Sequence, residues 1–445
     1  MRGIVVATLS ILALGRPAVA QEAPAPSEDA GPVLDLEGLP DPAVGPAAPR
    51  SVGDVVDDRF DGRTDSRATL SDRAAAIIDK TTLGGYGEHE FHHGEDDITT
   101  FVNHRFVLFV YSQLHPRIST ATEIEFEFAG SPLKRDGALE AGEVLLEFSV
   151  VDFEIAEWLV LRAGVILMPV GAYNLRHDAP TRDLVDRPLA YTTVLPTTWF
   201  ESGAGLLGKI PLGDQRLSYE IYVVNGLDAR LYDGSGLRGA RGSHLQDNNP
   251  DKAIAGRLAY SPSLAFEVGA SGYSGEYDLQ DNRVNLGNLD LRWKLGPVEL
   301  IGEVVRVWID EGFVEGFSAS SAANTRDAVP TDMWGFYGEA DLHFTIAPLW
   351  ALLPKDLQQA TFTAVLRYEG KDTDLDRDSA QGDRRRLTMG LNFRPIEAFV
   401  LKTDYRLETE GTDDEEAAPE AWSGDFWTGA RRARFSFAAS VAYLF

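Results

Sequence analysis

The sequence predicts an all-β fold, a transmembrane antiparallel β-barrel of about 16 strands with its third extracellular loop folded inward. Three observations carry that expectation. Segments with one wet face and one greasy face recur from Thr81 to Phe445. The connections between them alternate between short and long. Finally, the chain stops on "RFSFAASVAYLF", where Phe435, Phe437, Ala439, Val441, Tyr443 and Phe445 share one parity and Ser436, Ala438, Ser440, Ala442 and Leu444 the other. A strand of about ten residues with aromatics at both ends spans a thin apolar layer between two interfaces. The last strand of a soluble sandwich ordinarily runs on into polar residues, because a frayed end costs little.

At the amino terminus, Arg2, an apolar run over residues 4–14 and Ala18-Val19-Ala20 before Gln21 read as a secretory signal peptide, residues 1–20. The run is about half of what a spanning helix needs, and no later segment is long enough either. Residues 21–80, rich in Pro, Ala, Gly and Asp, bury too little apolar surface to offset their ordering entropy. They are expected to form a disordered periplasmic segment, with the barrel over 81–445. The chain has no cysteine, which excludes disulfides and thiolate metal sites. Its net charge of -28, from 69 acidic and 41 basic residues, offers no basic stripe, so no nucleic-acid partner is expected.

Strands are expected near residues 81–92, 99–114, 117–129, 142–151, 157–169, 203–211, 216–225, 252–261, 264–274, 284–296, 297–310, 331–346, 359–370, 384–394, 397–409 and 431–445. The clearest is "ISTATEIEFEF": Ile118, Thr120, Thr122, Ile124, Phe126 and Phe128 oppose Ser119, Ala121, Glu123, Glu125 and Glu127. Three carboxylates in a row need water. In "NLDLRWKLG", Leu289, Leu291, Trp293 and Leu295 oppose Asp290, Arg292 and Lys294. In "MWGFYGEADLHF", Trp334, Phe336, Ala340, Leu342 and Phe344 oppose Tyr337, Glu339, Asp341 and His343. In "FVLKTDYRLE", Phe399, Leu401, Tyr405 and Leu407 oppose Lys402, Asp404, Arg406 and Glu408.

After even strands the turns are tight, as in "LHPR", "VDFEIAE", "PLGDQ", "SPS", "LGP" and "RPIEA", with only "APLWALLPKDLQQ" longer. After odd strands they are mostly long and polar. Sorting of loops by parity, with an even strand count, is how an outer-membrane barrel is built, and a sandwich has no reason for it. In hydrocarbon every backbone donor must be paired, so the strands must close into a ring.

A barrel of this size leaves an aqueous lumen. Loop 170–202 combines Arg176, His177, Asp178, Arg182, Asp183, Asp186 and Arg187 with Tyr173, Tyr191, Trp199 and Phe200. An extracellular cap could be looser and richer in Gly and Ser. The paired charges and aromatics therefore point to a loop folded inward to narrow the channel. On the wall, Glu123, Glu125, Glu127 and Glu147 come from neighbouring strands, and Arg386, Arg394, Lys402, Arg406 and Arg434 from the last three. Two opposed arcs of charge across the lumen would orient dipolar solutes and sort ions; solvated residues with partners nearby are the plainer reading.

"EHEFHH" sets His89, Phe91 and His93 against Glu88, Glu90 and His92, a thin ligand set for zinc or copper, and no metal or other cofactor is expected. "DTDLDRD" spaces Asp372, Asp374, Asp376 and Asp378 like a calcium loop but lacks its Gly and closing Glu. It reads as a solvated loop, bridged to lipopolysaccharide by divalent ions. No G-x-S-x-G is present and no enzyme is expected.

"LRAGVILMPVGAYNL", "TRDLVDRPL", "WFESGAGLLGKIPL" and "LSYEIYVVNGLD" resemble the middle of the phosphate-selective porin O and P family, best over residues 157–228. The resemblance implies a sixteen-stranded porin, a homotrimer in the outer membrane of a Gram-negative bacterium, with the third outer loop inside the pore. It would pass small hydrophilic solutes or ions by passive diffusion. Arg162, Arg176, Arg182 and Arg187 fall in the matching region, while the acidic wall at Glu123 to Glu127 is not the basic ladder that phosphate calls for. Expected partners are outer-membrane lipid, lipopolysaccharide and the barrel assembly machinery, which would read Tyr443 and Phe445 on the last strand. A barrel serving as a surface adhesin or structural anchor, its lumen blocked, is the alternative.

Overall fold

The structure, a computed structural model, describes residues 80–445 except 95–98, 129–131, 136–137, 232–235, 242–246, 312–328, 351–352, 355–356, 358–359, 376–381 and 412–431. The expected signal peptide, the 21–79 segment, Asp376 and Asp378 lie outside the described residues.

Sixteen antiparallel strands close into one barrel. In chain order they are β1 (Thr81–His93), β2 (Thr99–His115), β3 (Ile118–Glu127), β6 (Val144–Ala156), β7 (Leu159–Leu167), β8 (Phe200–Leu212), β9 (Gln215–Val224), β10 (Ala253–Ser263) and β11 (Phe266–Glu276). The ring continues through β12 (Arg283–Leu295), β13 (Val298–Ile309), β14 (Asp332–Phe344), β15 (Thr361–Asp372), β16 (Arg384–Ile396), β17 (Phe399–Glu410) and β18 (Arg432–Leu444). Each strand pairs with its chain neighbours in the ring, and β1 pairs with β18 to close it. A separate hairpin, β4 (Pro132–Arg135) with β5 (Ala138–Ala141), lies in the connection after β3 and was not expected.

Hydrophobicity is inverted relative to a soluble protein. Leu289 is 58% exposed, Ile254 53% and Trp308 49%, whereas Glu88, Glu123 and Asp404 are 0% exposed. Apolar side chains on the outside and charged ones within are the arrangement a bilayer selects, because lipid tails receive the first and an enclosed polar interior the second. The four quoted strands keep the two faces read from their alternation. At the seam, Tyr86 to His93 run opposite Leu444 to Phe437. The Gly85 N–H donates to the Phe445 carbonyl at 3.1 Å, and the Phe445 N–H to the Gly85 carbonyl at 3.0 Å. This reciprocal pair extends the β1–β18 ladder to Phe445.

Six of the seven connections after even barrel strands are two residues long, at 116–117, 157–158, 213–214, 264–265, 296–297 and 397–398. Gly213 and Gly296 supply positive φ of 69° and 61° there, as tight hairpins demand. The seventh connection, 345–360, contains the short helix α1 (Ala347–Trp350). Two boundaries differ from expectation. β6 runs on to Ala156, so most of "VDFEIAE" is strand; Phe153 and Ile155 continue its outward apolar face at 42% exposure each. β8 starts at Phe200, inside the expected loop, because Phe200 pairs with Leu167 and extends the ladder.

Candidate functional site

The connection from β7 to β8, residues 168–199, is densely bonded to the barrel. Its neck is fastened by Asn174, whose Nδ2 donates to the Met168 and Trp199 carbonyls at 2.9 and 3.0 Å while its Oδ1 accepts from the Trp199 N–H at 3.0 Å. From there the backbone meets side chains on the inner wall. Glu303 of β13 accepts from the Ala172 and Tyr173 N–H groups at 3.0 and 2.8 Å, from the Tyr337 hydroxyl at 2.8 Å, and from the Tyr191 hydroxyl. Asp404 of β17 accepts from the Val185 N–H at 2.8 Å. Glu369 of β15 accepts from the Leu189 N–H at 2.5 Å. β15 lies eight places from β7 in the ring of sixteen, directly opposite.

The side chains of the loop are paired as closely. Asp186 meets Arg386 at 2.9 Å and also Arg406. Burial alone would raise its carboxyl, but Arg406 and Arg386 hold it below the ordinary aspartate range. Asp183 meets Arg394 at 3.2 Å and accepts from Asn392 at 2.8 Å. Arg182 reaches Glu88 at 2.9 Å, and Lys402 reaches the same carboxylate at 3.2 Å. Arg176 crosses to Glu267 of β11 at 2.7 Å. Arg187 donates to the Thr197 carbonyl at 2.6 Å; burial and neighbouring Arg105 push its guanidinium below the usual arginine range.

A second connection, between β9 and β10, lies against the first. Arg241 donates to the Thr198 carbonyl at 2.7 Å and the Arg238 N–H to the Thr193 carbonyl at 3.3 Å. Leu227, Leu231 and Leu237 join Val194, Leu195 and Trp199 in one apolar cluster with wall residues Ile166, Tyr222 and Tyr273. Beside this packed half, a cavity of about 60 Å³, partly open to solvent, is lined by Tyr173, Arg176, Arg182 and Asp183 of the loop and by Asp290, Arg292, Glu303, Glu339 and Arg367 of the wall.

The expected wall residues divide. Glu123, Glu125 and Glu147 are buried among β3, β6 and the loop. Glu147 is the extra residue of a bulge: Glu123 pairs with Phe148 and Ile124 with Leu146, which turns both Glu147 and Phe148 inward. Glu127 sits in register with Arg105. Arg162 does not join the loop cluster; it forms a two-pronged pair with Asp152 on the neighbouring strand, both contacts at 2.7 Å. Arg434 is exposed and meets Glu410 at 3.0 Å. The expected opposition of acidic and basic arcs is corrected: β3 stands only four places from β17 in the ring, through β2, β1 and β18. The basic arc is also met by carboxylates, Arg386 by Glu369 at 2.7 Å and Lys402 by Glu88.

Sequence reasoning did not single out Glu303, Glu369, Arg105 or Arg367, although all four are buried, and it read Glu88 only as part of a thin metal-ligand set. Asp290, Glu339, Asp341 and Asp404 stood on expected wet faces and needed only the loop's path to be recognised. Two groups of carboxylates and histidine have metal-like spacing among the described residues: Glu88, Glu90 and His104, and Glu123, Glu147 and His177. The first is occupied by ion pairs: Glu88 with Arg182 and Lys402, and Glu90 with His104 at 2.6 Å and His92 at 2.7 Å. "EHEFHH" is divided by the sheet, since His89 stacks on Tyr443 at 6.0 Å while Glu88 and Glu90 are buried.

No family model matches the chain. An uncharacterized protein of Aquifex aeolicus is 29% identical over 348 residues, covering 74% of this chain and 75% of that protein. Among solved structures, an anion-selective porin from Comamonas acidovorans is similar at a TM-score of 0.50 and 10% identity, over 82% of this chain and 99% of that one. The outer membrane channel DcaP of Acinetobacter baumannii is similar at 0.50 and 11% identity, over 82% and 97%. At such low identity the likeness is one of fold. With its closed sheet and apolar exterior, the chain is a porin-like β-barrel of the bacterial outer membrane.

Proposed function

We propose that the chain is a passive channel through which small hydrophilic solutes or ions diffuse across the outer membrane, with loop 168–199 as its constriction. The observation that carries this reading is the cavity of about 60 Å³, partly open to solvent, left between the loop and the β12–β15 wall. Its lining mixes Asp183, Asp290, Glu303 and Glu339 with Arg176, Arg182, Arg292 and Arg367. A passage bounded by both signs favours dipolar solutes and discriminates weakly between ions. The basic side chains of β15–β17 that face the loop are matched by carboxylates: Arg367 by Glu339 at 3.3 Å, Arg386 by Glu369, Arg406 by Asp186. This favours a general channel over selection for phosphate. The homotrimer and the reading of Tyr443 and Phe445 by assembly machinery rest on the family resemblance alone.

The anchor reading has one observation of its own, the apolar packing of two loops against the β7–β11 wall. Recording in a planar lipid bilayer separates the two. Steady single-channel steps from purified protein are expected; a folded barrel that inserts and stays silent establishes the anchor instead.

A further inference from the structure

Where the loop meets β3 and β6, the charges do not balance. Glu123 and Glu147 are 0% exposed, as is His177. Glu125 has Arg105 at 3.1 Å, and Arg105 lies 3.5 Å from Glu88. Both oxygens of Glu123 are buried without a hydrogen-bond donor, and so is Oδ1 of Asp178 beside His177. Burying a carboxylate this deeply without a compensating cation costs several kcal/mol or more.

The histidine is oriented toward the gap. His177 Nδ1 lies 2.8 Å from the Asn174 backbone carbonyl. A carbonyl only accepts, so Nδ1 carries a proton, and in the neutral ring Nε2 keeps the lone pair that a metal needs. Nε2 lies 3.1 Å from Glu147 Oε2, where a protonated ring pairs with the carboxylate and a neutral ring can share a cation with it. The other Glu147 oxygen is held by the Thr198 hydroxyl at 2.7 Å. One ligand atom from each of Glu123, Glu147 and His177 lies within 4.8 Å of the others. Two bonds of about 2.1 Å to a tetrahedral centre set their ligand atoms about 3.4 Å apart, close to the Nε2 to Oε2 separation. The Asn174 carbonyl and the Thr198 hydroxyl are the kind of outer partners that fix a metal ligand's orientation.

We propose that Glu123, Glu147 and His177 bind a divalent cation of zinc type, which fastens the loop to the wall between β3 and β6. One imidazole and two carboxylates suit zinc better than calcium, which takes six to eight oxygens. The wall supplies the two carboxylates and the loop supplies the histidine, so the ion ties together segments 30 residues apart in sequence. The site needs no conduction, and its test reads metal directly, so its failure is distinct from failure of the channel reading.

The test uses the full chain folded in detergent, stripped with chelator and dialysed against zinc chloride, with bound metal measured by mass spectrometry. One zinc per chain is expected, with nitrogen and oxygen neighbours in X-ray absorption. Glu123→Gln, which keeps shape and removes charge, and His177→Gln should each weaken zinc binding at least tenfold while the folded band on unheated gels persists. If a variant fails to fold, competition between zinc and calcium on the unaltered protein decides: preference for calcium overturns the proposal. It is equally overturned if zinc is not retained stoichiometrically or if both variants bind it as tightly as the original chain. In that outcome a shared proton between Glu123 and Glu147 balances the site.

Discussion

A single carboxylate can organise several residues of loop, and Glu303 does so by accepting two backbone N–H groups and two tyrosine hydroxyls. An amide keeps one acceptor oxygen and turns donors toward donors. Glu303→Gln is therefore expected to destabilise the fold by about 1.5–3 kcal/mol, the worth of hydrogen bonds to a charged group, as read from denaturant midpoints in detergent. Gly171, next to that anchor, has a φ of 76° and faces the Tyr191 hydroxyl where a Cβ would lie. Gly171→Ala should cost about 1–3 kcal/mol and loosen the same segment, measurable as faster proteolysis of the loop. Asp186 makes the attachment acid-sensitive. Arg406 and Arg386 depress its folded pKa below the ordinary 3.8, so its stabilisation is complete above that value and is lost as pH falls through the lower folded one. Loop protection in hydrogen exchange should hold from neutral pH down to about 4 and then decline; Asp186→Asn should be weaker throughout and lack the acid step.

At the level of elements, alternation located the barrel strands because lipid and water face opposite sides of the same ribbon. The pattern was legible where the inner face is polar, as at Glu123, Glu125 and Glu127 of β3. It located β13 as well, but there Val305, Val307 and Ile309 point inward beneath the loops. The apolar residues around it gave Glu303 no distinguishing mark in the sequence. The loop's composition signalled an element packed by its own charges and aromatics, but not its partners, because the ring order that brings β15 opposite β7 is a long-range property. The bulge at Glu147 was equally silent, since one added residue leaves no mark in a run of alternating side chains. Replacing residues 172–198 by a short Gly/Ser linker is expected to keep the sixteen strands and raise single-channel conductance several-fold. An unchanged conductance would show that the constriction lies elsewhere.

For the whole molecule, a net charge of -28 sets the long-range field. Reversal potentials in a salt gradient should favour cations weakly, and the preference should fade as ionic strength rises and the screening length shrinks to about 8 Å at physiological salt. The lining itself, with acids and bases mixed, argues against a strong preference of either sign.

The seam between β1 and β18 has a bearing on biogenesis. β1 is paired on both sides only once β18, sixteenth in the ring by chain order, lies beside it. Until Arg432–Leu444 is in place, Thr81–His93 offers an unsatisfied edge to whatever guides it. Removing the final residue deletes the reciprocal Gly85 to Phe445 bonds and should slow closure more than it weakens the finished barrel.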